Sequence, residues 1–233
     1  NNLAILGAAE AGKRKGKRIV TTAIEHESVL QSVDELEKQG FEVIRLMPDK
    51  QGRITEQQVF DAVNSDTTLV SMMYVNNEVG SIMPVKSIKK AVKRANAPAL
   101  IHIDCVQAFG KLEVKPSKLG ADLVTVTAHK IHGPKGVGAL YLKKGTRILP
   151  RVFGGEQEKK LRPGTEAIPL IAGFGVAADL IPDLKKQSEK IKEINTYARE
   201  GLLTVPGVKI NSGDDASDYI INLFVPTFMT SQT

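Results

Sequence analysis

The sequence has little of several residue types: of 233 residues, one is cysteine, none is tryptophan and 5% are aromatic. A single cysteine excludes an intramolecular disulfide framework and a zinc site with four cysteine ligands. No apolar run approaches the roughly 20 residues that a membrane-spanning helix needs, and no basic segment leads into an apolar one at the amino end. We therefore expect a soluble, cytoplasmic protein without a membrane anchor.

The net charge of +6 is modest, and part of it is concentrated in the basic residues between 13 and 18. This cluster follows a predicted helix, where cations interact favourably with the helix dipole. Nucleic-acid binding is the alternative explanation, but aromatic residues are few and no nucleic-acid-binding motif accompanies the charge. The sequence therefore predicts no nucleic-acid partner.

Strand-like and helix-like segments alternate along the first two thirds of the chain. Strands are predicted over 18–22, 41–47, 68–74, 99–104, 123–126 and 138–143, and helices over 28–39, 55–64 and 85–95. Such alternation is typical of an α/β fold with a largely parallel sheet covered by helices on both faces. Thr55 followed by Gln58 also fits a capping box at the start of a helix.

The organisation changes after Thr165. The segments predicted beyond it are helices over 168–180 and 184–203 and strands over 208–211 and 219–225. We place a first domain over 1–171 and the start of a smaller α+β domain over 172–233. Because the sequence opens without a methionine and stops just past a predicted strand, we also expect a fragment of a longer protein.

A lysine stands where the apolar strand over 123–126 gives way to a glycine-rich loop, in the run TVTAHKIHGPKG over 125–136. A lysine at a strand end, walled by apolar neighbours, loses part of the solvation of its ammonium form and becomes a better nucleophile. Lys130 is therefore the candidate for covalent attachment of an aldehyde cofactor. The alternative is that it is one of many solvated surface lysines.

Polar side chains also follow the other predicted strands, at the carboxyl ends where ligands gather in open parallel sheets. These residues are His26, Asn76, Asp104, Gln107, Thr127 and His129. Together with a reactive lysine, they suit pyridoxal phosphate, a cofactor with a ring nitrogen, a phenolic oxygen, an aldehyde and a phosphate.

Each chemical group of that cofactor has a candidate partner. The carboxylate of Asp104 would keep the ring nitrogen protonated, and the imidazole of His26 would stack on the ring. The amides of Asn76 or Gln107 would hydrogen-bond the phenolic oxygen, and the hydroxyl of Thr127, with His129, would donate to the phosphate. Alternatively, His26 and Asp104 simply cap the helix and the turn that follow them.

A metal site is the competing interpretation of two of the histidines. His129 and His132 form a His-x-x-His pair, but a metal site needs three or four ligands. The remaining candidates, His26, His102 and Cys105, come from distant segments. The sequence therefore predicts no metal centre.

Five motifs resemble, in order, those of cysteine desulfurases, which belong to class V of the pyridoxal-phosphate aminotransferase superfamily. They are EHESV over 25–29, VNNEVG over 75–80, HIDCVQA over 102–108, AHKIHGPKG over 128–136 and RPGTE over 162–166. The resemblance spans nearly the whole chain. It implies the large domain of a fold type I pyridoxal-phosphate transferase, followed by the start of a small domain.

The resemblance also implies residue roles at the matched positions. Lys130 would bind the cofactor aldehyde covalently, and Asp104 would pair with the ring nitrogen. His26 would stack on the ring and take part in proton transfer. These three residues would carry the chemistry.

The remaining matched positions imply contacts with the rest of the cofactor. Gln107 and Asn76 would contact the phenolic oxygen, and Thr127, with His129, would contact the phosphate. Thr165 matches a residue that reaches the phosphate of the opposite subunit. The resemblance therefore implies a homodimer.

In the intact enzyme, the resemblance implies conversion of L-cysteine to L-alanine, with sulfur passing as an enzyme persulfide to an acceptor protein. The acceptor would be an iron–sulfur scaffold or a thiolation protein. In this family the attacking cysteine and a carboxylate-binding arginine lie beyond the region where this sequence stops, so we expect these 233 residues alone to be inactive.

Cys105 stands at a position that the family fills with small residues, and we expect it to be buried and not to act as the nucleophile. Two other classes of function stay open. One is a class V relative with different chemistry, such as a selenocysteine lyase or a small aminotransferase. The other is a catalytically inactive fragment that binds the cofactor.

Overall fold

The computed structural model describes residues 1–226, which contain a large sheet, a small sheet and several helices. The strands are β1 (Arg18–Thr22), β2 (Glu42–Leu46), β3 (Thr67–Met73), β4 (Leu100–Asp104), β5 (Leu123–Thr127), β6 (Gly138–Leu142), β7 (Lys209–Ile210) and β8 (Leu223–Phe224). The helices are α1 (Asn2–Gly12), α2 (Glu27–Lys38), α3 (Glu56–Ala62), α4 (Val85–Arg94), α5 (Pro116–Leu119), α6 (Ile168–Asp179) and α7 (Leu184–Leu203).

The large sheet has six strands in the order β2-β1-β3-β4-β5-β6. The first five strands pair in parallel, and β6 is antiparallel to β5. Parallel neighbours need crossover connections, and helices α2, α3, α4 and α5 supply them along the chain. The predicted α/β fold with a largely parallel sheet is confirmed.

Helices cover both faces of this sheet, because successive residues of a strand point to opposite sides. Leu69 on β3 packs with apolar residues of α1 and α2, whereas its neighbour Val70 packs with residues of α3 and α4. Both side chains are fully buried. The core therefore has two apolar layers, one on each face of the sheet.

The predicted capping box is present at the start of α3. The Thr55 hydroxyl accepts a hydrogen bond from the Gln58 backbone N–H at 3.2 Å, and the Gln58 side chain accepts one from the Thr55 N–H at 2.9 Å. Two amide groups that the helix leaves unpaired are thereby satisfied.

A fully buried histidine, His102 on β4, joins three strands of the sheet. Its Nδ1 lies 2.8 Å from the hydroxyl of Ser71 on β3, and its Nε2 lies 2.8 Å from the hydroxyl of Thr125 on β5. Burial lowers the pKa of His102 to about 3, so its imidazole is neutral near pH 7. Both ring nitrogens of His102 thus bind the neighbouring strands. This fixes β4 two residues before Asp104, at which the strand ends.

The carboxyl-terminal part departs from the predicted strand lengths. Strands β7 and β8 pair over only two residues each. Most of the predicted strand over 219–225 is irregular, because the Ser217 backbone N–H donates to the carbonyl of Gly80 and turns the chain toward the large sheet. The predicted domain boundary between residues 171 and 172 falls within α6 and stays a prediction.

Among the described residues, no helix combines the length and hydrophobicity needed to cross a membrane.

Two helical glycines should respond oppositely to replacement by alanine. A Cβ atom at Gly7 in α1 would lie 2.5 Å from the carbonyl oxygen of Leu149, whereas one at Gly201 in α7 would meet nothing within 4 Å. We expect Gly7→Ala to lower the free energy of unfolding by about 1–3 kcal/mol through steric strain. We expect Gly201→Ala to raise it by about 0.5–1 kcal/mol, because alanine favours the helix. Urea denaturation of both variants checks this, and stabilisation by Gly7→Ala would contradict the close contact.

Candidate active site

The predicted site residues gather at one edge of the large sheet. Strands β1, β3, β4 and β5 run in the same direction, so their carboxyl ends meet at this edge. His26 follows β1, Asn76 follows β3, Asp104 ends β4, and Lys130 ends the short 3-10 turn after β5. The topology therefore places residues that are about 100 positions apart in sequence on one side of the molecule.

A chain of hydrogen-bonding groups connects His26 to Asp104. Nδ1 of His26 lies 2.9 Å from the hydroxyl of Ser28, which accepts a hydrogen bond from the Asn1 side-chain amide at 2.8 Å. The same amide donates to Oδ2 of Asp104 at 2.7 Å. Asn1 and Ser28 were not among the predicted site residues, because neither stands at the end of a predicted strand: Asn1 opens the sequence and Ser28 begins a predicted helix.

His26 is also the N-cap of α2, as the alternative interpretation proposed. Its Nδ1 accepts a hydrogen bond from the backbone N–H of Ser28 at 3.1 Å. In the neutral imidazole the proton therefore lies on Nε2. The cap uses only the Nδ1 edge of the exposed His26 imidazole and is compatible with a cofactor ring stacked on its face. Stacking of His26 on the cofactor stays a prediction.

Asp104 is buried, and both of its oxygens accept hydrogen bonds. Oδ1 accepts from the backbone N–H of Val106 at 2.9 Å, which is the predicted turn cap, and Oδ2 accepts from Asn1. These two hydrogen bonds fix the orientation of the Asp104 carboxyl group at the edge of the sheet.

The two candidate amides already have partners within the chain. Oδ1 of Asn76 accepts from the backbone N–H groups of Glu78 and Val79 at 2.9 and 2.8 Å, and its Nδ2 donates to the carbonyl of Ile24 at 2.8 Å. Oε1 of Gln107 accepts from Nζ of Lys111 at 2.9 Å. Nδ2 of Asn76 also donates to the sulfur of Met73 at 3.4 Å, so both of its amide hydrogens have partners. The contact of Gln107 uses its oxygen, which leaves its amide nitrogen as a donor for a ligand oxygen.

Lys130 is solvent-exposed, so the expected loss of solvation at a walled strand end is not found. The reason is local: the 3-10 turn over Ala128–Lys130 carries the side chain out of the buried layers that enclose β5. Lys130 lines a cavity of about 530 Å³ that includes apolar residues such as Ile131, Leu180 and Ile181. Apolar side chains therefore line one side of Lys130, and its other side is open to solvent.

A second amine lines the same cavity. Burial lowers the pKa of Lys111, and the nearby charge of Lys130 adds to this effect. Nζ of Lys111 also lies 5.6 Å from the centre of the Tyr219 ring, a cation–π distance. Among the described residues lining the cavity none is acidic, so the site favours an anionic ligand. The sequence offered one signal for Lys111, its position four residues after Gln107.

Two of the three candidate phosphate ligands, Thr127 and His129, lie together, and their role stays a prediction. The hydroxyl of Thr127 is 2.9 Å from Nδ1 of His129 and 3.2 Å from the carbonyl of Val137. Thr165 lies elsewhere, exposed on the segment before α6, and lines a second cavity of about 650 Å³. Asn1, which donates a hydrogen bond to Asp104, lines that cavity as well.

One buried carboxyl at this edge was missed by the sequence reasoning. The side chain of Glu25 accepts a hydrogen bond from the hydroxyl of Thr22 at 2.7 Å and from the backbone N–H of Met73 at 2.9 and 3.0 Å. Burial raises the pKa of Glu25 to about 8, and the charge of Asp104 adds to this increase. The only signal in the sequence was its place directly before His26.

Comparison with known proteins identifies the family of this chain. The sequence profile described as aminotransferase class-V matches residues 1–232. The chain belongs to the aminotransferase class-V family. Membership in this class V family confirms the resemblance that the five motifs indicated.

Relatives with curated names are similar to this sequence over most of its length. It is 43% identical over 180 residues to cysteine desulfurase IscS 1 of Archaeoglobus fulgidus, covering 77% of this chain and 46% of the relative. It is 41% identical over 212 residues to cysteine desulfurase IscS of Methanosarcina thermophila, covering 91% of this chain and 52% of the relative. The chain thus spans about half the length of these curated relatives.

A solved structure described as a NifS-like protein superimposes on the chain with a TM-score of 0.88 at 36% identity. The match covers 93% of this chain and 59% of that one. The similarity confirms that the arrangement of sheet and helices is that of NifS-like proteins.

The free energy of unfolding should depend on pH through Glu25. Its pKa is raised from 4.5 to about 8 on folding, so its contribution to stability is fully present below pH 4.5 and is lost as pH rises through 8. We expect wild-type protein to lose stability relative to Glu25→Gln between pH 5 and 8, by up to about 1.4 kcal/mol per pH unit. Denaturant unfolding of both proteins across this range measures the difference, and a constant difference would contradict the raised pKa.

Proposed function

We propose that this chain is the cofactor-binding part of a pyridoxal-phosphate-dependent cysteine desulfurase, which converts L-cysteine to L-alanine. The observation that carries the proposal is the hydrogen-bonded connection between His26 and Asp104 at the sheet edge that also presents Lys130. The curated names of its class V relatives support the same activity.

The chemistry of the donors and acceptors fits pyridoxal phosphate. A hydroxyl and an imidazole lie side by side at Thr127 and His129, a suitable pair for a phosphate. Asp104 is a buried acceptor that would pair with the ring nitrogen, and Lys130 is an accessible amine that would hold the aldehyde. When bound, the cofactor supplies an electron-withdrawing ring for carbanion chemistry.

The protein's own groups divide the remaining tasks. Asp104 would pair with the ring nitrogen, and its carboxyl group is held in place by Asn1 and the Val106 N–H. His26 binds a proton at Nε2 because its Nδ1 is occupied by the Ser28 N–H, so Nε2 is the atom that would exchange protons. Gln107 would orient the ring through its amide hydrogens, and Asn76 would do so by exchanging its weak contact with the Met73 sulfur for one with the ring.

Cys105 is not assigned as the sulfur carrier in this proposal. Its thiol is fully buried, and burial raises the pKa of Cys105 well above its ordinary value, with the charge of Asp104 adding to the increase. A protonated, inaccessible thiol is a poor nucleophile. Since these 233 residues contain no other cysteine, the persulfide is assigned to a thiol outside them.

We further infer that the sulfur passes to an acceptor protein, an iron–sulfur scaffold or a thiolation protein. The curated names of the relatives indicate removal of sulfur from cysteine. The enzyme persulfide proposed above must then pass its outer sulfur to another molecule, which is the acceptor. A cytoplasmic location also stays a prediction.

We propose that the protein is a homodimer, on the basis of an apolar helix without buried side chains. Helix α6 has the sequence IPLIAGFGVAAD, and none of its residues is buried among the described part of the chain. Ile168 is 64% exposed and Val176 is 59% exposed. A helix that is apolar all round is normally covered. A second copy of the chain would cover it and would bring Thr165, three residues before α6, to the other subunit's site.

The segment before α6 supports the same assignment. Three consecutive non-glycine residues, Glu158, Lys159 and Lys160, have φ between 46° and 65°. Left-handed backbone is unfavourable for such residues and persists where surrounding contacts enforce it. Phe153, close by in sequence, is 84% exposed. An interface with a second subunit would supply the enforcing contacts.

Covalent attachment of pyridoxal phosphate should occur at Lys130. We expect borohydride reduction of protein loaded with the cofactor, followed by peptide mapping, to place a pyridoxyl group on Lys130 and to give no modified peptide after Lys130→Ala. Lys111→Ala is the matched control, because it removes the other amine of the same cavity. A pyridoxyl group on Lys111 or Lys135, or scattered over many lysines, would contradict the assignment.

The dimer should dissociate when charge is placed on α6. We expect Ile168→Glu to convert a dimer into a monomer in sedimentation velocity, because a buried unpaired carboxylate opposes association. Tyr197→Glu on α7, at a side chain that is 80% exposed, is the control and should leave the dimer intact. A monomeric wild-type protein, or an unaffected Ile168→Glu variant, would overturn the proposal.

A further inference from the structure

The loops that follow β1 and β3 are joined by two side-chain contacts that run in opposite directions. From the first loop, the Glu25 carboxyl accepts the backbone N–H of Met73 at the end of β3. From the second loop, the Asn76 amide donates to the backbone carbonyl of Ile24 at 2.8 Å. We call these four residues the reciprocal clamp.

Glu25 is the better anchored half of this clamp. Both carboxyl oxygens lie within 3.0 Å of the Met73 nitrogen, and the Thr22 hydroxyl donates to Oε1 at 2.7 Å. The residue is 5% exposed, so water does not replace these contacts easily. Removing a buried acceptor leaves the Met73 N–H and the Thr22 hydroxyl without partners, which is costly.

The clamp determines where His26 can lie. Glu25 directly precedes His26, whose backbone is extended with φ −64° and ψ 149°. Successive side chains on an extended backbone point to opposite sides, and here the Glu25 side chain is buried while that of His26 is exposed. Fixing Glu25 therefore fixes the peptide from which the His26 imidazole projects.

We propose that Glu25 is a positioning residue, which through the reciprocal clamp with Asn76 holds the His26 imidazole at the cofactor edge of the sheet. The assignment of a catalytic task to His26 rests on the proposed function. The clamp itself rests on hydrogen bonds between β1, β3 and their loops. Its essential feature is an acceptor oxygen at Glu25, since the partners are an N–H and a hydroxyl.

The need for an acceptor oxygen at residue 25 predicts different results for three substitutions. Glu25→Gln keeps an oxygen of the same reach, so it should retain the clamp. Glu25→Ala removes the acceptor. Glu27→Ala is the matched control, because Glu27 is the other neighbour of His26, is exposed, and accepts a hydrogen bond from Gln31 on its own helix.

The first measurement is the imidazole NMR spectrum of the cofactor-free protein, in which His26 is one of four histidines. We expect Glu25→Ala to shift the His26 ring resonances, while Glu25→Gln and Glu27→Ala leave them near the wild-type positions. Unchanged His26 resonances in Glu25→Ala would overturn the clamp. This result does not depend on desulfurase activity.

The second measurement is the rate of sulfide release by the full-length enzyme. We expect Glu25→Ala to lower kcat by at least about 10-fold with KM within about 2-fold, because a misplaced catalytic group slows the chemistry more than it weakens binding. Glu25→Gln should restore most of kcat. In a His26→Ala background, Glu25→Ala should have little further effect, since it acts through His26.

The outcomes distinguish failure of the reciprocal clamp from failure of the proposed function. Additive losses in the double variant, or equal losses in Glu25→Gln and Glu25→Ala, would show that Glu25 does not act by positioning His26. Absence of sulfide release and of a pyridoxyl group at Lys130 in the wild-type protein would overturn the proposed function and leave the NMR test of the clamp valid. If Glu25→Ala does not fold, Glu25→Asp, which falls one methylene short of Met73, gives the same comparison.

Discussion

Parallel pairing of β1, β3, β4 and β5 is the constraint on which the rest of the structure depends. It forces the carboxyl ends of four strands to one edge, so that the loops after them must meet there. The Asn1 amide then bridges Ser28 and Asp104, and the reciprocal clamp joins the first two loops. The polar contacts at this edge are therefore consequences of the strand order. Each contact in turn holds in place one of the loops that follow the strands.

The change of direction between β5 and β6 gives Lys130 its particular setting. Because β6 returns antiparallel to β5, the connection is short and cannot contain a crossover helix. The chain turns through the 3-10 segment at Ala128–Lys130 and a loop in which His132 and Gly136 have positive φ. This turn lifts Lys130 out of the core and sets it beside Lys111, while Thr127 and His129 stay together at the strand end.

Sequence reasoning located the regular elements and the main candidates, because periodic apolar residues and the Thr55 capping box are local signals. It missed Glu25, Lys111 and Asn1 as members of the site, since their roles arise from contacts with Met73, Lys130 and Asp104 that no local pattern records. It also expected a walled Lys130, because a strand pattern does not reveal that a 3-10 turn follows. Strands β7 and β8 were overestimated for a similar reason: a hydrogen bond from Ser217 to the distant Gly80 redirects the chain.

Helix α6 also bears on the order in which the protein reaches its assembled state. Its side chains contribute nothing to the two apolar layers of the large sheet, so the sheet core can form in a single chain before any partner is met. In the proposed homodimer, covering α6 is then a second-order step whose rate rises with protein concentration. Newly folded chains would expose an apolar helix until they meet, and the lifetime of that intermediate sets how strongly the protein depends on dilution and on chaperones during synthesis.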